Sequence, residues 1–185
     1  MKILQAVSDC PFNNPPDKLQ ELVEIHDSFG RPLLLVSRQF SRKRQLPRRI
    51  VHVCLRNLEN KILIPKRADS ISPHPGLWDI SLLDDVLAGE SYEGAALRLL
   101  AQNLGLPEIP IKLASMLPYL DEQGGSLSAA FFLAGPCRTN PRPDPQVISD
   151  FMFLTQDELV GLFELNDNMF TPELSWAMRS GWLFK

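Results

Sequence analysis

A chain of 185 residues with 44% hydrophobic and 22% charged residues has the composition of one globular domain with material for a sizeable core. Its formal net charge of -3 argues against a global electrostatic pull toward nucleic acid or an anionic membrane, so any such partner needs a local patch. Cys10, Cys54 and Cys137 are widely spaced and lack CxxC spacing, which argues against a disulfide framework or a zinc site and for a reducing compartment.

The opening MKILQAVSDC has an apolar run broken at Gln5 and Ser8, too short for a signal segment or a membrane span, so a cytoplasmic location is expected. Residues 1–19 read as an N-terminal arm and 20–185 as a single domain, with a hairpin and basic loop at 20–49 and the core at 50–185. ELVEIHD (21–27) and PLLLVS (32–37) are β-rich runs separated by SFGR, where Asp27 and Gly30 supply turn chemistry. The basic stretch RQFSRKRQLPRR follows as a loop. IVHVCLRN (50–57) and KILIPK (61–66), joined by LEN, predict a second, buried hairpin at the centre of a sheet.

SYEGAALRLLAQNLG predicts a helix capped by Ser91, with Ala96, Leu100 and Leu104 on one face and Gly105 at its end. IKLASMLPYL (111–120) and SLSAAFFLAG (126–135) flank a turn at Gly124 and Gly125, and FMFLT (151–155) is a further short strand. Thr155 and Glu158 form a capping box for another helix, and TPELSWAMRSG predicts a last one with proline in its first turn. Two strand groups around a helix, with helices at the end, make an α/β layered fold.

The order of strand pair, PGLWDIS, a loop ending in AGE and a helix ending in LGL resembles the Nudix hydrolase family. That family's box reads Gly-x5-Glu-x7-Arg-Glu-U-x-Glu-Glu-x-Gly-U, with U a bulky aliphatic residue. Glu90, Arg98, Leu100, Gly105 and Leu106 fall in place, as does the preceding Pro75-Gly76-x-Trp78-Asp79, and Gly89 closes the AGE loop. The N-terminal hairpin, Arg49 and LENKILIPKR resemble the subgroup related to isopentenyl-diphosphate isomerase, over roughly residues 20–180. The resemblance implies an α/β/α sandwich with a mixed sheet and an N-terminal β-hairpin extension.

The departures from the box fall on its chemistry. Asp84 stands where the family has its opening glycine, and Leu99, Gln102 and Asn103 stand where it has glutamates. Those positions share one helical face, which is how the family gathers carboxylates around magnesium. Magnesium takes hard oxygen ligands, and neutral amides with a leucine do not balance its charge. No metal is therefore expected at Leu99, Gln102 and Asn103; magnesium or manganese enters only if a site is rebuilt from Asp84, Asp85 and Glu90. Aspartates are at home in turns, so Asp84 and Asp85 are otherwise expected to be solvated loop residues. Glu90 and Arg98 serve in the family to fix loop to helix.

The resemblance also places cations near a substrate phosphate, which makes Lys66, Arg67 and Arg49 candidates for ligand binding, with Trp78 either stacking on a base or packing in the core. His26, His52 and His74 sit in separate segments without metal-ligand spacing, and Cys54, mid-strand, reads as an inert packed thiol. Glu122 is a candidate base or a surface carboxylate. Three readings stay open: binding of a nucleotide or other diphosphate ligand with little magnesium-dependent activity, hydrolysis through relocated ligands, and an interaction module working through the basic residues 38–49.

Overall fold

The computed structural model describes residues 22–27, 29–80, 82–120 and 126–180. The N-terminal arm, Cys10, Glu122 and the turn at Gly124 and Gly125 lie outside the described residues. The elements run β1 (Leu22–His26), β2 (Pro32–Ser37), α1 (Arg38–Lys43), β3 (Arg48–Asn57), β4 (Ile62–Arg67), β5 (Leu82–Asp85), α2 (Tyr92–Leu104), β6 (Ile111–Leu120), β7 (Ser126–Cys137), β8 (Ile148–Leu154), α3 (Gln156–Leu165) and α4 (Pro172–Ser180).

The sheet is mixed and β3 is its axis. It pairs antiparallel with β5 and parallel with β7, and β7 continues antiparallel to β6. The first expected hairpin forms as β1 and β2, in register from Leu22↔Ser37 to His26↔Pro32. The second departs from expectation. β3 and β4 meet at one pair, Arg56↔Ile62, after which β4 leaves to pair with β8 along Ile62–Arg67. Side chains alternating along β4 send Leu63 to one apolar layer and Ile62 and Ile64 to the other.

Period-two alternation along β3 builds those layers. Val51, Val53 and Leu55 face Ala95, Ala96, Leu99, Leu100 and Leu104 of α2. Cys54, with Ile62 and Ile64 of β4, packs under Leu159 of α3 and Leu174 and Ala177 of α4. Helices therefore cover both faces, an α/β/α sandwich. Each leucine taken fully out of water on these faces is worth roughly 1.5–3 kcal/mol.

Two local expectations fail. The basic stretch is not simply a loop: Ser37 caps α1, its hydroxyl accepting from the Phe40 N–H at 3.2 Å. Asp84 and Asp85 are not solvated loop residues but lie in β5, opposite Val51 and Ile50, with Asp85 1% exposed.

Candidate functional site: a cleft between a neutral helix and an arginine wall

α2 forms one wall. The Ser91 hydroxyl accepts the Gly94 N–H at 3.0 Å, and Gly105 ends the helix in the left-handed region at φ 66°. Of the box positions on this helix, Leu99 and Asn103 line a cleft of about 630 Å³, while Gln102 is exposed and outside its lining. Leu99 is buried in the core. This wall contributes one neutral amide and hydrocarbon.

The opposite wall is charged. Opposite Ile50 on β3, Asp85 shares a face with Arg48; Asp84, opposite Val51, takes the α2 face and meets Arg98. Arg48 Nε donates to Asp85 at 2.8 Å, Arg42 Nε at 2.9 Å and Arg38 Nε at 3.3 Å. Arg38 Nη2 also donates to Asp84. Since Arg38 and Arg42 reach two carboxylates that a strand sends to opposite faces, α1 lies along the outer edge of β5. Burial alone would raise the Asp85 pKa, but Arg42, Arg48 and Arg38 outweigh it and hold the carboxyl below its ordinary value.

Glu90 and Arg98 lie behind this wall. Arg98 donates to Glu90 at 2.7 Å, to Asp84 at 3.0 Å and to the Asp85 carbonyl at 3.0 Å, while Glu90 accepts the Leu87 N–H at 3.0 Å. Burial works against the Glu90 charge, yet Arg98 and the Leu87 amide hold its pKa below the usual value. The pair ties the β5–α2 loop to the helix. Gly89 turns that loop at φ 79°, and its N–H donates to Glu24 at 3.3 Å. Arg49 is engaged there too, donating to Glu24 at 2.8 Å with its guanidinium 5.4 Å from the Tyr92 ring centroid. It does not line the cleft, because neighbours on a strand point apart.

The floor carries the third charged pair. Arg67 donates to Asp79 at 2.8 Å, and Asp79 also accepts from the Thr171 hydroxyl at 3.1 Å. Nothing in the sequence signalled this contact between residues 92 apart beyond the aspartate of the PGLWD match. Trp78 is a core residue rather than a stacking platform. Its backbone N–H donates to the Met169 carbonyl, its ring packs with Ile62, Ile64 and Leu174, and Lys66 Nζ lies 5.8 Å from the ring centroid. His52 stacks on Phe131 with centroids 4.5 Å apart, and burial pushes its pKa down to about 4, partly opposed by Asp79. The buried Cys54 thiol is pushed up to about 12, and its Sγ–H points to the Ile80 carbonyl at 3.6 Å, geometry that disfavours a nucleophile.

Thus Asp84, Asp85, Arg67, Leu99 and Asn103 come together in one cleft, while Glu90, Gly89, Arg98, Gly105, Lys66, Trp78, Arg49 and Gln102 do not line it. The model of the NUDIX domain matches residues 46–174. The chain belongs to the Nudix family.

Its relatives include an uncharacterized Nudix hydrolase of Pseudomonas aeruginosa, 32% identical over 62% of this chain and 67% of that one. An isopentenyl-diphosphate Delta-isomerase of Rhodobacter capsulatus is 30% identical over 62% of this chain and 68% of the isomerase. Among solved structures, DR0079 of Deinococcus radiodurans matches with a TM-score of 0.73 at 20% identity, covering 88% of this chain and 99% of that one. The NUDIX domain of Shewanella oneidensis NrtR, solved with ADP ribose, matches at 0.55 and 18% identity over 73% of this chain and 86% of that one. These structural likenesses establish the fold.

The Nudix family implies a divalent cation on α2, and the donors present do not fit one. Leu99 offers no ligand, Gln102 and Asn103 offer uncharged amides, and Asp84 and Asp85 are held by guanidiniums. Among the described residues no group of three His, Cys, Asp or Glu side chains is placed to hold a metal. No described helix is long and apolar enough to cross a membrane.

Proposed function

We propose that this Nudix cleft binds a nucleotide or another diphosphate-containing ligand and has little magnesium-dependent hydrolase activity. One observation carries the reading: the α2 face presents no carboxylate to the cleft, while the facing wall presents arginines that outnumber the two aspartates they hold. A cleft with cations in excess of carboxylates attracts phosphate, but without an ion to neutralise the diphosphate and acidify water, its hydrolysis loses both of the metal's contributions. The ADP-ribose-bound neighbour supports the ligand class.

Relocated hydrolysis through Asp84, Asp85 and Glu90 requires these acids to leave Arg38, Arg42, Arg48 and Arg98, at the cost of leaving the little-exposed Arg48 and Arg98 without partners. An interaction module at 38–49 is disfavoured because Arg38, Arg42 and Arg48 are paired with Asp84 and Asp85 and line the cleft. The deciding experiment assays nucleoside diphosphate derivatives with magnesium or manganese, for binding by calorimetry and for phosphate release. Binding without release is expected. Turnover on the order of 1 per second would overturn the reading, and loss of that turnover in Asp85→Asn would establish the relocated site.

A further inference from the structure

Helix α1 lies before residues 46–174, the span the family model matches, and yet Arg38, Arg42 and Lys43 line the cleft. It is an addition to the matched domain that reaches into the domain's site.

Its charge is only partly consumed there. Asp84 and Asp85 receive Arg38, Arg42, Arg48 and Arg98, and Arg98 is shared with Glu90. Arg38 and Arg42 spend Nε and Nη2 on the aspartates, and among the described residues their Nη1 groups have no hydrogen-bond partner. Lys43 makes no ion pair among the described residues, and the Arg42 side chain is 49% exposed. Asp84, Asp85 and Glu90 set three carboxylates against the four guanidiniums of Arg38, Arg42, Arg48 and Arg98, and Lys43 adds a further cation to a lining that also holds Glu173. A planar fork with unspent donors suits phosphate oxygens, which accept two parallel charge-assisted bonds.

We propose that α1 makes this cleft a metal-independent receptor for a diphosphate-class anion, with Arg38, Arg42 and Lys43 supplying the countercharge that the family otherwise draws from a divalent ion. This rests on the binding reading above and adds its chemistry. Magnesium then opposes binding, because it complexes the diphosphate in solution and is repelled by the same arginines that attract the free anion.

The test titrates inorganic pyrophosphate, and in parallel ADP, into the full chain in the presence of a chelator and again in excess magnesium. The same titrations are run on Arg42→Gln/Lys43→Gln and on Arg44→Gln. Arg42 and Lys43 are exposed helix residues, and thermal melts verify that the variants fold. Arg44, whose guanidinium sits 5.9 Å from the Phe40 ring centroid, does not line the cleft and controls for the loss of a positive charge beside α1 but outside the site.

The expected result is binding with chelator present, weakened by magnesium, reduced ~10-fold or more in the double variant and unchanged in Arg44→Gln. Pyrophosphate and ADP that bind only with magnesium would sink the inference and leave the ligand reading standing. Binding undiminished in the double variant, or diminished as much by Arg44→Gln, would remove α1 from the site. No binding of either anion in either condition would end both. ADP bound without pyrophosphate would place recognition on the nucleoside and also overturn the proposal.

Discussion

The two walls of the cleft are built by opposite strategies. α2 is a local structure, capped by its own Ser91 and Gly105 and seated on the sheet by leucines and alanines of its own sequence. The facing wall is a long-range structure: Arg38, Arg42 and Arg48 converge on β5 from 46, 43 and 37 residues away in sequence. A helix made by local signals can lose its charged face without losing its shape. A wall held by ion pairs cannot lose its charges and stay in place. The sharpest way to break the comparison is Asp85→Ala, which strips a buried counter-ion from three guanidiniums. It should cost about 3–5 kcal/mol in urea unfolding, the scale of breaking a buried pair. A loss under about 1 kcal/mol would mean these pairs behave as surface contacts.

His52 lies between the walls and gives a pH test of the second strategy. Its folded pKa of about 4 lies below the ordinary 6.5, so the unfolded chain binds the proton more readily. Stability is fully present above 6.5 and falls as pH drops toward 4, by an amount on the order of a few kcal/mol. Asp85 acts in a lower window: its folded pKa lies below 3.8, so its contribution is lost only as pH falls through that lower value. Urea unfolding at pH 7 and near 4.5 should therefore differ, and His52→Phe should flatten that difference while leaving the acid limb below it. If the variant keeps the full slope, His52 is not the group responsible.

What was legible in the sequence divides along the same line. The α2 cap and its apolar face, the Thr155–Glu158 box and the β1–β2 hairpin are signals contained within a dozen residues, and each appears in the structure. α1 escaped because RQFSRK has no apolar periodicity, although Ser37 three residues before Phe40 was a readable cap. Two adjacent aspartates carry turn propensity and point Asp84 and Asp85 to a loop; only the ladder to β3 with arginines from elsewhere makes them strand residues. Arg67 lines the cleft while Lys66, named beside it, does not, and the Asp79 and Thr171 around Arg67 had no signal of spacing. Local chemistry shows in a sequence; convergence of distant charges does not.

The neutral wall can be sharpened by restoring its charge. Gln102→Glu/Asn103→Glu adds two carboxylates at positions that are exposed and half-buried, where the stability cost is small, and leaves buried Leu99 untouched. Calorimetry should show magnesium affinity at least ~10-fold above that of the unchanged chain, about 1.4 kcal/mol. No gain would mean that the arginine wall repels a cation whatever α2 offers.

The smallest expected effect separates the walls by their caps. Ser91→Ala removes the acceptor for the Gly94 N–H on a helix whose start is fixed locally, and should cost about 1 kcal/mol. Ser37→Ala removes the equivalent bond to the Phe40 N–H, but α1 spans only Arg38–Lys43 and is held by Asp84 and Asp85. Its loss should be a few tenths of a kcal/mol, because so short a helix gains little from its own hydrogen bonds. Coupling should then appear only when the ion pairs are gone: in an Asp85→Ala background, Ser37→Ala should have almost no further effect, whereas Ser91→Ala should keep its full cost, since additivity holds for sites that share no partner. Equal costs for the two serines in both backgrounds would show that α1, too, is a locally determined helix, and that the walls differ in charge alone.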